Sequence, residues 1–130
     1  MGMAIAPLQN AAMFVTSLKW KFDPDSIRGT PKTQGVFGLW DEGTIVYIGA
    51  TERNVFLPDV LRELLTLRRR GIIQATHFTW EITITPRSWA GELLRLHFNK
   101  FGSLPLYNQA TSALQLLRRD DAAAQDVPRP

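Results

Sequence analysis

The clearest pattern in the chain is a pair of short apolar runs on either side of a polar turn. The runs, 35–40 and 44–48, are rich in aromatic and β-branched residues, which suit the pleated surface of a sheet. The turn between them, Asp41-Glu42-Gly43, is polar and ends in glycine. Apolar runs joined by a short glycine-containing turn predict a β-hairpin.

A helix is predicted over 60–69, after an entrance near 54–58. Its leucines recur at the 3.6-residue spacing that places apolar side chains on one face of a helix. Those leucines are Leu61, Leu64 and Leu65. Gly71 follows at a position where glycine commonly ends a helix in a left-handed conformation.

The segment 77–84 alternates between apolar and polar residues, which predicts a third strand. The residues expected to face the core are Phe78, Trp80, Ile82 and Ile84. Thr85 and Pro86 are typical of a helix start and introduce a second long helix, 86–101, which Gly102 ends. The buried stripe of this helix is predicted to be Trp89, Leu93, Leu96 and Phe101.

The two ends of the chain carry weaker patterns. Residues 1–10 are expected to be loosely ordered, and 13–22 to form a short helix or an extended strip. A last short helix is predicted over 109–119. The segment 120–130 has two prolines and few apolar anchors, which predicts a mobile tail.

The predicted order β-β-α-β-α describes an α/β (α+β) domain with a three-stranded, mainly antiparallel sheet flanked by helices. We divide the chain into a lead-in, 1–34, that packs on the core, the core domain, 35–108, and the short helix and tail, 109–130. A length of 130 residues suits one domain with a single core.

The composition is that of an ordinary globular protein, with 45% hydrophobic and 21% charged residues. The absence of cysteine excludes a disulfide scaffold and any thiolate metal site. The apolar start of the chain lacks a cationic segment and is interrupted by polar residues and Pro7. We therefore expect no secretory signal, no membrane association and a cytoplasmic location.

A net charge of +3 makes the chain mildly basic, and its arginines are clustered. The clusters are Arg68-Arg69-Arg70 and Arg118-Arg119, each at the end of a predicted helix. Such clusters bind phosphate by displacing counterions. Cations at a helix C-terminus are equally well explained by the helix dipole, so both interpretations stay open.

Three features together resemble the GIY-YIG nuclease superfamily, and in particular its small bacterial members. They are the hairpin with Gly35-Val36-Phe37 and Tyr47-Ile48-Gly49, Glu92 on the second long helix, and the ending Pro105-Leu106-Tyr107-Asn108. The resemblance covers roughly 35–108. It implies a GIY-YIG-like fold and a DNA endonuclease that hydrolyses phosphodiester bonds with the help of Mg²⁺ or Mn²⁺.

The resemblance also implies roles for the matching residues. Tyr47 corresponds to a tyrosine that helps to activate the attacking water, and Gly49 to a glycine that lets the substrate approach closely. Phe37 stands where the family has its first tyrosine, so the ring remains and the hydroxyl is lost. Glu92 corresponds to the metal-binding glutamate. Asn108 is expected to fix its loop near the site through bonds from its side chain to the backbone.

The arginine of the family has no single match. If Leu61 takes the place of the family's leucine, Leu64 occupies the arginine position and Arg68 lies one turn further on the same face. The hydrophobic register favours this alignment and Arg68. The other alignment makes Arg62 the catalytic arginine and fits the apolar pattern poorly. Arg53, just after the second strand, is a further candidate beside the mouth of the site.

Two functions from different classes follow. One is a metal-dependent endonuclease. The other is a catalytically weakened relative that binds nucleic acid or a protein partner without cutting, which the missing hydroxyl at Phe37 and the unmatched arginine favour. Each missing charge-stabilising group costs about 10²–10³ in rate.

A cleft that unites Tyr47, Glu92 and an arginine would favour the enzyme, and a core-filling Leu64 would favour the binding protein. A surface ion pair of Glu92 away from Tyr47 would count against both.

An unrelated function on the same fold is a third alternative. The sequence shows no separate recognition domain, so specificity would have to come from a protein partner, a dimer or the structure of the nucleic acid.

Overall fold

The computed structural model describes residues 18–126, and the side chains as far as residue 119. This part of the chain contains a four-stranded antiparallel sheet and four α-helices. The strands are β1 (Trp20–Lys21), β2 (Gly35–Asp41), β3 (Thr44–Ala50) and β4 (His77–Ile82). The helices are α1 (Pro24–Arg28), α2 (Leu57–Arg69), α3 (Pro86–Phe101) and α4 (Ala113–Asp126). A short 3-10 helix, Leu106–Asn108, precedes α4.

The predicted hairpin is confirmed as the pair β2 and β3. Its register sets Phe37 opposite Gly49 and Leu39 opposite Tyr47, and the register shifts after Leu39. The strand order across the sheet is β1-β4-β2-β3, so β3 and β1 form the two edges. All three pairings are antiparallel.

The fourth strand, β1, corrects the expected three-stranded sheet. Trp20 pairs with Phe78, and Lys21 pairs with His77. A strand of two residues is too short to show an alternating pattern, because a period of two needs several residues to be recognised. A short helix or an extended strip is predicted over 13–22. Within the described part of this segment, Trp20 and Lys21 form the edge strand β1.

Apolar clusters cover both faces of the sheet. On the face that we call the α2 face, residues of β2 and β3 pack with α2 and with Leu114 of α4. On the opposite face, the α3 face, other residues of the same strands pack with Ala90 and Leu93 of α3. Tyr47 lies on the α2 face and its neighbour Ile48 on the α3 face, as the alternation of side chains along a strand requires.

The predicted core face of β4 is only partly correct. Phe78 is buried and Trp80 half-buried, but Ile82 and Ile84 are 52% and 93% exposed. The strand ends at Ile82, two residues earlier than expected. At its middle both faces are covered, since Thr79 is buried as well. Alternation alone does not show where a strand leaves the core.

The two long helices lie where they were predicted, with local differences. Helix α2 starts at Leu57, three residues early, with a proline in its first turn. In α3 the predicted Phe101 is 58% exposed, whereas His97 is buried and its Nδ1 donates to the Ser103 carbonyl oxygen over 2.8 Å. Gly102 follows α3 in the predicted left-handed conformation, with φ of 77°.

Helix α4 begins later and ends later than the predicted 109–119, and it occupies 120–126 of the predicted tail. Residues 1–17 and 127–130 lie outside the described part, so the expectations for 1–10 and for the end of the chain stay predictions. The division into 1–34, 35–108 and 109–130 also stays a prediction. Among the described residues, none of the helices has the length and apolar character that crossing a bilayer requires.

Candidate functional site

Three of the candidate residues meet on the α2 face of the hairpin. The rings of Phe37 and Tyr47 lie 5.9 Å apart between centroids and are tilted by 51°. Gly49 fits between them: an added Cβ would lie 2.4 Å from Phe37 Cζ and 2.8 Å from Tyr47 Cε2. Contacts this short do not occur in folded proteins, so the packing of the two rings requires glycine at position 49.

Asn108 holds the 3-10 helix against the edge strand β3. Its Oδ1 accepts from the backbone N–H of Ile48 at 2.9 Å, and its Nδ2 donates to the Ile48 carbonyl oxygen, also at 2.9 Å. The expected bonds from the side chain to the backbone are thus present. Asn108 positions the strand residue directly after Tyr47.

The phenol of Tyr47 is buried and bonded to an arginine. The residue is 4% exposed, and its hydroxyl oxygen accepts from Arg118 Nη1 at 2.7 Å. Burial raises the pKa of Tyr47 above its ordinary value of 10.0; Arg118 opposes this rise, while Glu52 and Glu63 add to it. The phenol is therefore neutral at physiological pH, which disfavours the phenolate that would serve as a base.

Arg118 is a residue of the site that the sequence did not connect with Tyr47. It lies on α4, 71 positions along the chain, and its guanidinium carbon is 5.5 Å from the centroid of the Tyr47 ring. Leu114, one turn earlier, is fully buried and fixes α4 against the core. No spacing rule relates two residues so far apart, so only the three-dimensional fold identifies the pair.

Arg68, the favoured arginine, lies elsewhere. Its Nη1 donates to the Ala75 carbonyl oxygen at 3.1 Å, and its guanidinium is 5.1 Å from the centroid of the Phe22 ring. Phe22 directly follows β1, at the opposite edge of the sheet from Tyr47. Three strand spacings separate these edges, which amounts to about 14 Å. Arg68 thus makes its contacts near the other edge of the sheet, away from the rings of Phe37 and Tyr47.

The other positions on α2 do not bring an arginine to Tyr47 either. Arg62 forms an ion pair with Asp59 at 2.6 Å, and both side chains are about half exposed. Leu64, which takes the arginine position in the favoured alignment, is buried in the core at 1% exposure. The place expected for the guanidinium is filled by a leucine.

Glu92 is held by a neighbour on its own helix. Its Oε2 accepts from Arg95 Nε at 3.0 Å, and its Oε1 accepts from Arg95 Nη2. These bonds hold the pKa of Glu92 below its ordinary value. Because α3 packs on the α3 face, Glu92 and Tyr47 lie on opposite faces of the sheet.

One turn before Glu92, α3 is joined to β4 by a hydrogen bond. Trp89, one turn before Glu92 on the same side, donates from Nε1 to Glu81 Oε2 of β4 at 3.0 Å. The described side chains contain no group of three or more histidines and carboxylates that could hold a metal ion. With both carboxylate oxygens of Glu92 bonded to Arg95, the residues present do not fit a Mg²⁺ or Mn²⁺ site shared by Glu92 and Tyr47.

An open groove of about 440 Å³ lies between the end of β3 and the start of α3. Arg53 lines it, as expected for a residue at the mouth of a site, and Arg87 lines it from the first turn of α3. Arg87 pairs loosely with Glu52 at 3.3 Å, with both side chains largely exposed. Thr51 and Ser88 also line the groove. Free N–H groups and the positive end of a helix favour anions at such a place.

Comparison of the chain with protein-family models, with curated proteins and with solved structures found no match.

The arrangement therefore contains two neighbouring cationic features. One is the groove with Arg53 and Arg87, and the other is the pair of Tyr47 and Arg118. Strand β3 links them along the chain, because it carries Tyr47 and is followed directly by the groove residues Thr51, Glu52 and Arg53. Guanidinium groups at an open surface can bind phosphate oxygens.

Proposed function

We propose that the protein is a GIY-YIG-like domain that binds the phosphate backbone of nucleic acid, with DNA as the expected partner, and does not cut it. The observation that carries this proposal is the groove beside the hairpin, where Arg53 and Arg87 converge at the start of α3. Guanidinium groups bind phosphate through two parallel hydrogen bonds. The ion pair of Arg87 with Glu52 is exposed and long, so a phosphate competes with it at little cost.

Three features argue against hydrolysis. Phe37 has no hydroxyl, the Tyr47 phenol is buried and neutral, and Glu92 is bonded to Arg95 on the other face of the sheet. Each of these removes a group on which the implied chemistry depends. The ion pair of Glu92 away from Tyr47 also counts against a weakened relative of the family, so the proposal of binding rests on the groove and on the buried Leu64. Losses of about 10²–10³ in rate for each charge-stabilising group leave little activity when two are missing.

The endonuclease is the second candidate, and one arrangement favours it. Phe37, Tyr47, Gly49 and Asn108, which the resemblance assigns to the site, lie close together at the hairpin. In this alternative, Arg95 would have to release Glu92 before a Mg²⁺ or Mn²⁺ ion could bind there.

Binding is tested with purified protein and fluorescent DNA and RNA, single- and double-stranded, between 50 mM and 200 mM salt. We expect measurable binding that weakens with salt. The double substitution Arg53→Ala and Arg87→Ala should weaken it about tenfold and lower the slope of log K against log salt by about 2. The matched control is Arg28→Ala with Arg62→Ala, which removes two exposed, ion-paired arginines outside the groove.

Equal loss in the groove variant and in the control would contradict the assignment of the groove. Absence of binding by the unmodified protein would overturn nucleic-acid binding altogether and direct attention to a protein partner.

Cleavage is tested on supercoiled and branched DNA with Mg²⁺ or Mn²⁺, beside Glu92→Gln. We expect no nicking above background. Metal-dependent nicking that disappears in Glu92→Gln would establish the endonuclease and overturn binding without hydrolysis.

A further inference from the structure

The guanidinium of Arg118 is oriented more strictly than an exposed arginine usually is. One amino group donates to the buried Tyr47 hydroxyl at 2.7 Å, and the guanidinium lies against the same ring. An arginine has five N–H donors, and this hydrogen bond uses one of them. The residue as a whole is exposed, so its other donors are open to a ligand from solvent.

Arg118 also has no anionic partner among the side chains described through residue 119. The ion pairs in that part of the chain involve Arg28, Arg62, Arg87 and Arg95. Glu52 and Glu63 lie within electrostatic range of Tyr47, but neither forms an ion pair with Arg118. A fixed guanidinium with free donors and no carboxylate partner has the chemistry of a phosphate contact.

The position of Arg118 connects it with the groove. Tyr47 lies on β3, and the chain continues from the end of this strand at Ala50 directly into Thr51, Glu52 and Arg53, which line the groove. We infer that Arg118 is a phosphate-binding residue for nucleic acid and that Tyr47 is its positioning residue. This inference rests on the proposed function. It gives Tyr47 a role without proton transfer, in which its hydroxyl oxygen accepts the hydrogen bond from the guanidinium.

The orientation matters energetically. A free arginine side chain loses rotamer freedom when it is fixed by a ligand. Arg118 is already held by the hydroxyl and the ring, so binding a phosphate fixes little more. An arginine of the same helix that lacks such a hydrogen bond and ring contact should contribute less to binding.

The experiment compares Arg118→Gln with Arg119→Gln, its neighbour on α4. Both substitutions remove one positive charge, and Arg119 is exposed. Affinity for a fluorescent DNA duplex is measured from 50 mM to 200 mM salt, with thermal unfolding recorded for each variant. We expect Arg118→Gln to weaken binding about tenfold and to lower the salt slope by about 1, while Arg119→Gln changes affinity less than about threefold.

Equal effects of the two substitutions, with binding by the unmodified protein intact, would overturn the role of Arg118 and leave the proposed function standing. If the unmodified protein does not bind the duplex, both the role of Arg118 and the proposed function are overturned. If Arg118→Gln unfolds at the assay temperature, Tyr47→Phe decides, because it keeps the charge and the ring and removes only the hydroxyl. Weaker binding by a folded Tyr47→Phe would support the inference, and unchanged binding would overturn it.

Discussion

Asn108 joins two parts of the molecule through a single amide group. Its two hydrogen bonds to Ile48 reproduce the pairing that a neighbouring strand would supply. Hydrogen bonds of this kind contribute about 1 kcal/mol each. The residue therefore has a structural function whatever the protein binds.

Replacing this amide should destabilise the fold measurably. We expect Asn108→Ala to lower the free energy of unfolding by about 2 kcal/mol, because two hydrogen bonds are lost at a half-buried place. Urea denaturation followed by circular dichroism measures the change. Asn99→Ala is the matched control, since Asn99 is exposed on α3, where alanine is the better helix former. An equal effect at the two positions would show that the bonds to Ile48 contribute nothing.

At the scale of elements, the hairpin is defined by how closely its aromatic rings pack. Phe37 and Tyr47 leave no room for a side chain at position 49. The turn of the same hairpin has space, since a Cβ at Gly43 would meet no atom within 4 Å. The two glycines of one hairpin thus differ, because position 49 has no room for a side chain and position 43 has.

These two glycines make a matched test of the packing. Gly49→Ala should destabilise the protein by about 1–3 kcal/mol, because buried rings must move to admit a methyl group. Gly43→Ala should change stability by no more than about 0.5 kcal/mol. The midpoints of urea unfolding measure both. A tolerated Gly49→Ala would mean that the rings shift freely and that the close packing does not determine position 49.

The sequence predicts the elements whose pattern extends over many residues. The hairpin and the two long helices are confirmed because several turns or several alternations contribute to each. The two-residue β1 carries no such signal, and the alternation of β4 continues past Ile82, where the strand has already left the core. The length of α4 was underestimated because alanines and charged residues form a helix without an apolar stripe.

At the scale of the whole molecule, one sheet is shared by two cores. The α2 face and the α3 face are built from different residues of the same strands. Removing apolar atoms from either face should therefore weaken the other through the common sheet. Small domains built in this way commonly unfold in a single cooperative transition.

We expect Leu61→Ala on the α2 face and Leu93→Ala on the α3 face each to cost about 2–5 kcal/mol, since both leucines are fully buried. Each variant should unfold in one step, with coincident curves from circular dichroism and tryptophan fluorescence. Ile84→Ala is the control, because this side chain is 93% exposed and should have little effect. Separate transitions for the two faces would contradict the shared core.

The site shows where prediction from sequence ends. Tyr47, Gly49 and Asn108 could be identified because a local motif carries them. The guanidinium beside Tyr47 could not, because it comes from Arg118 on a helix beyond the motif region. Arg68 and Glu92 have suitable chemistry and suitable spacing, yet the fold places one at the far edge of the sheet and the other on the opposite face. Residue type and spacing do not determine which elements become neighbours.

The bonds of Asn108 also bear on how molecules of this protein meet one another. An edge strand such as β3 offers unpaired backbone groups that can recruit a strand from a second chain and so begin aggregation. Since Asn108 already occupies both backbone groups of Ile48, an incoming strand finds the ladder interrupted at the middle of β3. The amide thereby protects the sheet against edge-to-edge growth as well as securing the chain that follows α3.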